Sequence, residues 1–428
     1  MKRTLYIFLL LFCMLNLHSQ QVQKAETGIY LLKNGQVETL DNGLVKADVL
    51  ISGNRIMEIH NDISHPGAKL VDCEGLTIYP GLIDAGTRLG LAEVGSISLT
   101  QDHNEIGSFT PHMEALTAVN PNSVNIPVTR VNGITTVLTV PSGGRFPGTA
   151  ALIDLQGYTP DQMYAGFKAI VLNYPSSGRR GRWDRRSDED IKKSEEKSTK
   201  ELNDLWEKAV LRSEIAARAK DSGESLDYNP QLDALVPVVN GETTLLIEVN
   251  RKNDILSAIK WVSGKNLKVV FTGVTEGYKV ADSLAKYEIP VITGPVLARP
   301  SRASDKYDIA YANAGLMHKA GVKVALRTRE TENVRNLPFN AGFAAAYGMG
   351  RIEALKSVTI IPAEIFGVDK DYGSVEQGKV ANLFVTDGDP FETKTQVKHL
   401  FIKGWKIPLE SRQTLLYDEF LNRSPGFE

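Results

Sequence analysis

The chain has 428 residues, 42% of them hydrophobic and 23% charged, enough to bury a large core and to form one big domain with a smaller one. That balance excludes a disordered or fibrous protein, and a formal net charge of −2 gives no general affinity for nucleic acid. Only two cysteines, Cys13 and Cys73, are present, so no disulfide framework or thiolate metal cluster can be built.

In chain order, Met1-Lys2-Arg3, an apolar stretch from Leu5 to Leu17 and then His18-Ser19-Gln20 form the pattern of a secretory signal peptide, with cleavage expected after Ser19. About 13 apolar residues fall short of the roughly 20 that span a bilayer, so no stable membrane anchor is expected. Cys13 follows Leu-Phe instead of the small residues of a lipoprotein signal. The expected product is exported, periplasmic or secreted, with 47 basic against 51 acidic residues and Cys73 as a lone packing thiol. Residues 20–79 read as part of a small β domain. Ile29-Tyr30-Leu31-Leu32, Ala47 to Ile51 and Arg55 to Ile59 are short apolar runs split by Asn34-Gly35 and Gly53-Asn54 turns.

From 80 to 366, strands at Thr77 to Ile83, Ile134 to Val140, Ala169 to Leu172, Thr244 to Ile247, Lys268 to Phe271, Pro290 to Thr293 and Val322 to Leu326 alternate with helical stretches. Asn253 to Val262 and Gly277 to Lys286 are two of those helices, and Ala150 to Leu155 is a further strand or a hairpin. The alternation predicts a parallel (β/α)8 barrel with one active face. After 367 strands return, at Ala381 to Thr386 and Val397 to Ile402, so the β-sandwich is expected to be assembled from both ends of the chain. A charged insertion, 176–226, interrupts the alternation. It opens with five arginines, Arg179, Arg180, Arg182, Arg185 and Arg186, and continues with Leu202, Leu205, Trp206, Ala209 and Val210 at helical spacing. These predict a long amphipathic helix over the barrel mouth or against a partner, or else a solvated insertion.

Two blocks carry a family resemblance. Leu76-Thr77-Ile78-Tyr79-Pro80-Gly81-Leu82-Ile83-Asp84-Ala85 is similar to the first barrel strand of the amidohydrolase superfamily. The run from Gly350-Arg351-Ile352-Glu353 through Gly373-Ser374-Val375-Glu376-Gln377-Gly378 to Asp387-Gly388-Asp389-Pro390 resembles the last helix and returning strands of its imidazolonepropionase and dihydroorotase-like branches. The resemblance implies hydrolysis of non-peptide C–N bonds, in cyclic or linear amides, by a metal ion, usually zinc. That ion would be held by His-x-His on strand one, His on strands five and six, often a Lys or Glu on strand four, and Asp on strand eight. Such ligands fix the cation and leave a position for a water whose pKa falls toward neutrality.

Carried onto this sequence, those positions read Gly86 and Arg88 on strand one, Glu248 on strand five, Thr272 on strand six and Arg329 on strand eight. Glu248 alone retains a metal-ligand side chain, and two guanidinium groups take the pole where a cation would sit. The expectation is therefore a replaced metal site with no zinc or other cofactor. Arg88, His103, His112, Glu248 and Arg329 are the candidate ligand-binding residues. A relocated metal site from Asp102, His103, Glu105 and Glu248 matches no ligand spacing. Val140-Pro141-Ser142-Gly143-Gly144 is a glycine-rich loop whose N–H groups suit an anion or simply make a turn, and His318 reads as a structural helix residue. Two functions stay open. One is an exported amidohydrolase with a rearranged or absent metal. The other is a non-catalytic protein that binds a small anionic ligand or supports a catalytic paralogue, with a homo-oligomer expected by analogy.

Overall fold

The computed structural model describes residues 24–179, 184–300 and 304–423. The expected signal segment 1–19, and Arg180, Arg182 and Trp183 of the basic run, lie outside these residues. The N-terminal part supplies seven strands: β1 (Tyr30–Lys33), β2 (Gln36–Glu38), β3 (Leu44–Lys46), β4 (Asp48–Ser52), β5 (Arg55–His60), β6 (Lys69–Asp72) and β7 (Thr77–Pro80). Eight barrel strands follow: β8 (Leu82–Thr87), β9 (Ile134–Thr139), β10 (Gly148–Asp154), β11 (Tyr164–Asn173), β12 (Thr244–Val249), β13 (Val269–Gly273), β14 (Val291–Thr293) and β15 (Val324–Leu326). The C-terminal part adds β16 (Leu383–Thr386), β17 (Val397–Ile402) and β18 (Trp405–Lys406).

The sandwich packs the sheet β5-β4-β1-β6 against β18-β17-β16-β7-β2-β3, and the antiparallel pair β7 and β16 joins the two ends of the chain. Leu32, Val49, Ile51, Ile78, Leu383 and Phe401 fill its core, with the Tyr30 ring edge-on to Phe401 at 5.2 Å. Cys73 is buried there, and burial pushes its thiol up to about 12, which makes it the inert packing residue expected. Beyond β18 a helix, Arg412–Leu421, ends the described chain. No helix among the described residues is long and apolar enough to cross a membrane.

The barrel strands lie in chain order, and backbone bonds from Arg329 N–H to Gly86 O (2.9 Å) and Arg88 N–H to Glu330 O (3.0 Å) bring the last strand to the first. One strand departs from the expected parallel pattern. β10 pairs antiparallel with both β9 and β11. Only eight residues, 140–147, connect β9 to β10, and a crossover between parallel strands takes a dozen or more. The reversal puts the start of β10 at the mouth and Asp154, at its end, on the opposite pole. There Asp154 is fully buried and accepts from Thr136 Oγ1 (2.9 Å), Asn382 Nδ2 (2.8 Å) and Tyr372 Oη (3.0 Å), with Lys403 Nζ at 3.5 Å. This polar knot ties the barrel floor to the sandwich.

Side chains alternate along each strand between the interior and the surrounding helices. Leu138, Val171, Leu246, Val270 and Ala325 point inward, while Val137, Leu172, Ile247, Phe271 and Leu326 pack outward. The insertion forms a 35-residue helix, Asp188–Ser222, whose N-cap Ser187 accepts from Asp190 N–H and whose first turn carries Asp188, Glu189 and Asp190. Leu202, Trp206 and Ala209 are buried on its inner face, with Trp206 edge-on to Trp261 at 5.3 Å.

Candidate functional site

Continuing the inward alternation to the carboxyl ends of the strands gives Asn173 after Val171, Glu248 after Leu246, Thr272 after Val270 and, one residue beyond β15, Arg327 after Ala325. These four line one cleft at the barrel mouth together with Gly86, Arg88 and Arg329. All five positions carried over from the amidohydrolase pattern thus converge. The sequence reading had not singled out the residue at the centre, Arg327.

The Arg327 guanidinium grips Glu248 with two parallel bonds, Nη1 to Oε2 at 2.8 Å and Nη2 to Oε1 at 3.0 Å, and Nη1 also donates to Thr272 Oγ1 at 2.6 Å. Both side chains are largely out of solvent, 5% and 17% exposed. Burial pushes the Glu248 carboxyl up, but Arg327, then Arg329 and the Asn250 amide at 3.1 Å, outweigh it and hold the pKa at about 2. Glu248 therefore has both oxygens committed to a guanidinium.

Gly86 belongs to the same exchange. A Cβ at this position would lie 2.9 Å from Arg327 Cδ, inside contact distance. The absence of a side chain at Gly86 leaves Arg327 its path across the cleft. Gly86→Ala is accordingly expected to cost about 1–3 kcal/mol by overpacking, read as a lowered urea midpoint at constant slope. An unchanged midpoint would count against this fit.

Below the pair, Asp84 is fully buried and accepts from Gly86 N–H (3.0 Å), Thr328 N–H (3.1 Å) and Thr328 Oγ1 (2.5 Å). Burial pushes its carboxyl up to about 7 in spite of these bonds and the nearby Arg327. Asp84 clamps the end of β8 to the turn after β15, and that turn holds Arg329 in the left-handed region at φ 57°. Arg329 is exposed at the mouth and Arg88 is half-buried beside it. Burial, and then the charges of Arg329 and Arg327, lower the Arg88 pKa against the pull of Glu248. Among the described residues neither Arg88 nor Arg329 has a side-chain hydrogen bond or ion pair.

The other candidates fall outside the cleft. His103 is close enough to Arg88 that burial, and then this charge, push its imidazole pKa down against Asp102, so it is neutral at neutral pH. Its carbonyl accepts from Ser142 N–H at 2.7 Å, which leaves that amide of the glycine-rich loop unable to cradle an anion. His112 sits in the turn before Met113, whose carbonyl accepts from Thr149 N–H at 2.7 Å. Asp102 and Glu105 are exposed. Among the described residues no three His, Cys, Asp or Glu side chains come together in a way that could hold a metal ion, so the residues present do not fit the zinc that the family pattern implies. His318, in the helix Ile309–Lys319, faces Glu353 at 3.9 Å. Arg179 donates to Asp184 O and Arg186 O and pairs with Asp188 at 2.7 Å, while Arg186 grips Asp184 at 2.9 and 2.6 Å. These two arginines fasten the insertion to the start of its own helix.

A barrel whose mouth gathers side chains from strands one, five, six and eight, joined to a sandwich made from both chain ends, carries its candidate site at the carboxyl-end face where barrel enzymes carry theirs. Residues 275–406 match the sequence profile of the Amidohydrolase family. The solved structure of an amidohydrolase from Thermotoga maritima MSB8 is similar with a TM-score of 0.78 and 25% identity, over 89% of this chain and 99% of that one. A dihydroorotase from Streptococcus thermophilus is 40% identical over 55 residues, 13% of each chain. A D-hydantoinase from Geobacillus stearothermophilus is 30% identical over 89 residues, 21% of this chain and 18% of its own. The matched segments thus span less than a fifth of these curated relatives. Residues 275–406 therefore carry an Amidohydrolase-family segment, on a fold similar to that of a solved amidohydrolase.

Proposed function

We propose that this protein is a non-catalytic member of its family whose barrel mouth binds a small carboxylate or similar anion between Arg88 and Arg329. The observation that carries this reading is the Arg327–Glu248 pair, which commits the one remaining ligand side chain and fills the cation's place with an internal positive charge. Three guanidinium groups face one carboxylate in the cleft, and two of the three carry no partner among the described residues. The free volume of the cleft is about 60 Å3, room for a group of a few heavy atoms. A charge-assisted bond from each free arginine to one carboxylate suits that space. The signal-like segment 1–19 supports export, so the ligand is sought outside the cytoplasm.

The competing reading is an active amidohydrolase with a rearranged or absent metal. Its best support is Asp84, a carboxyl near neutrality, but Asp84 is fully buried beneath Gly86 and Thr328, out of reach of a substrate.

Calorimetric titration of the purified protein with acetate, succinate and benzoate tests the proposal. Saturable binding that weakens about tenfold or more in Arg88→Ala and in Arg329→Ala is the expected result. Stoichiometric zinc, manganese or iron, removable by chelator together with an amidase or cyclic-amidase activity, would overturn it.

A further inference from the structure

A second cavity lies beside the mouth cleft, beneath the long helix Asp188–Ser222. Its free volume is about 380 Å3, in the range of pockets that enclose small organic ligands. Barrel loops supply one wall with Ser108, Arg145 and Tyr174, and the helix supplies the other with Ser194, Ser198 and Glu201. Asn173 partitions it from the first cleft: its Nδ2 donates to Gly143 O (2.8 Å) and Gly144 O (2.9 Å), and its carbonyl accepts from Arg145 Nη1 (2.6 Å).

The helix explains the cavity's chemistry. Positions 191, 194, 198, 202, 206 and 209 recur at helical spacing and form the inward stripe. Leu202, Trp206 and Ala209 make it apolar and buried where the helix packs on the body of the barrel. Over the cavity the same stripe carries Ser194 and Ser198, both half-buried, where a leucine would fill the space. Half-buried hydroxyls facing a cavity are free to donate to and accept from a molecule held there. Among the described residues the side chains of Ser108, Ser194 and Ser198 and the Tyr174 phenol have no hydrogen-bond partner. Burial first, and then Asp254 and Glu195, push the Tyr174 hydroxyl up to about 12, so it is neutral and can both donate and accept.

The charges around the cavity are balanced. Arg145 spends one N–H on Asn173 and feels Glu201, and Arg186 is held by Asp184. An anion would gain Arg145 but meet Glu201 on the facing wall, whereas a neutral molecule with several hydroxyl groups meets donors and acceptors on both walls. We propose that this cavity binds a neutral, polyhydroxylated ligand of about hexose size, independently of the anion cleft.

Saturation-transfer NMR and calorimetry on the full chain with glucose, galactose and myo-inositol test it. At least one is expected to bind saturably. Ser198→Leu, which extends the apolar stripe into the cavity, is expected to weaken that binding at least about tenfold while leaving carboxylate affinity at the mouth cleft unchanged. Should this variant fail to fold by circular dichroism, Ser108→Val on the facing loop carries the same expectation. Absence of binding by all three polyols, unchanged affinity in a folded variant, or inorganic phosphate binding there in their place would overturn the proposal.

Discussion

Replacing Arg327 with methionine is expected to destabilise the protein by about 3–5 kcal/mol, because it strands the Glu248 carboxylate in a buried site without its counter-ion. Glu248→Gln combined with Arg327→Met is expected to recover much of that loss, since the double variant leaves no uncompensated charge. Urea unfolding of the two single variants and the double measures both effects. A loss under about 1 kcal/mol for Arg327→Met would place the pair among exposed ion pairs of little consequence. The same pair sets an acid limit. The folded pKa of Glu248, about 2, lies below the ordinary 4.5, so its stabilisation is complete above 4.5 and drains away as the pH falls toward 2. Arg327→Met should flatten that part of the stability profile.

The second large effect is expected at the other pole. Asp154→Ala removes the common acceptor of Thr136, Asn382 and Tyr372 and the charge facing Lys403, at a cost on the order of 3 kcal/mol. Burial raises the Asp154 carboxyl above its ordinary pKa, against the pull of Lys403 and the three bonds. Its share of the stability is thus fullest at low pH and declines as the pH rises through the raised value. Asp154→Asn keeps one acceptor oxygen and should fall between alanine and the native protein. Thermal unfolding at constant ionic strength ranks the three, and an alanine variant as stable as the native chain would show that the knot does not couple sandwich to barrel.

The barrel and the two-ended sandwich were legible because their signals are periodic: apolar strands spaced by helices, and Asn-Gly turns between short runs. The reversed strand was half legible. The run from Ala150 to Leu155 reads equally as a strand or a hairpin, and only the short 140–147 connection decides its direction. At the mouth, an alignment to the family's ligand positions names Gly86, Arg88, Glu248, Thr272 and Arg329, and all five line the cleft. It passes over Arg327 because the family pattern assigns that position no ligand. The alternation Ala325-Leu326-Arg327 does contain the answer: a residue two beyond an inward alanine points inward too. Nothing in the sequence shows that Gly86, 241 positions earlier, is the vacancy this side chain enters. His103 and His112 illustrate the converse, since proximity in sequence to strand one says nothing about which way a loop side chain turns.

The pairing of β7 with β16 has a consequence for how the chain is made. Residues 77–80 leave the ribosome some three hundred positions before residues 383–386, their partners, so β7 spends most of synthesis with that edge unpaired. Contacts so distant in sequence form late and slowly. A bare strand edge is also a template for pairing with another chain. The half-built sandwich is therefore an open edge during synthesis, and a truncation between 327 and 383 would leave it permanently open with all eight barrel strands already made.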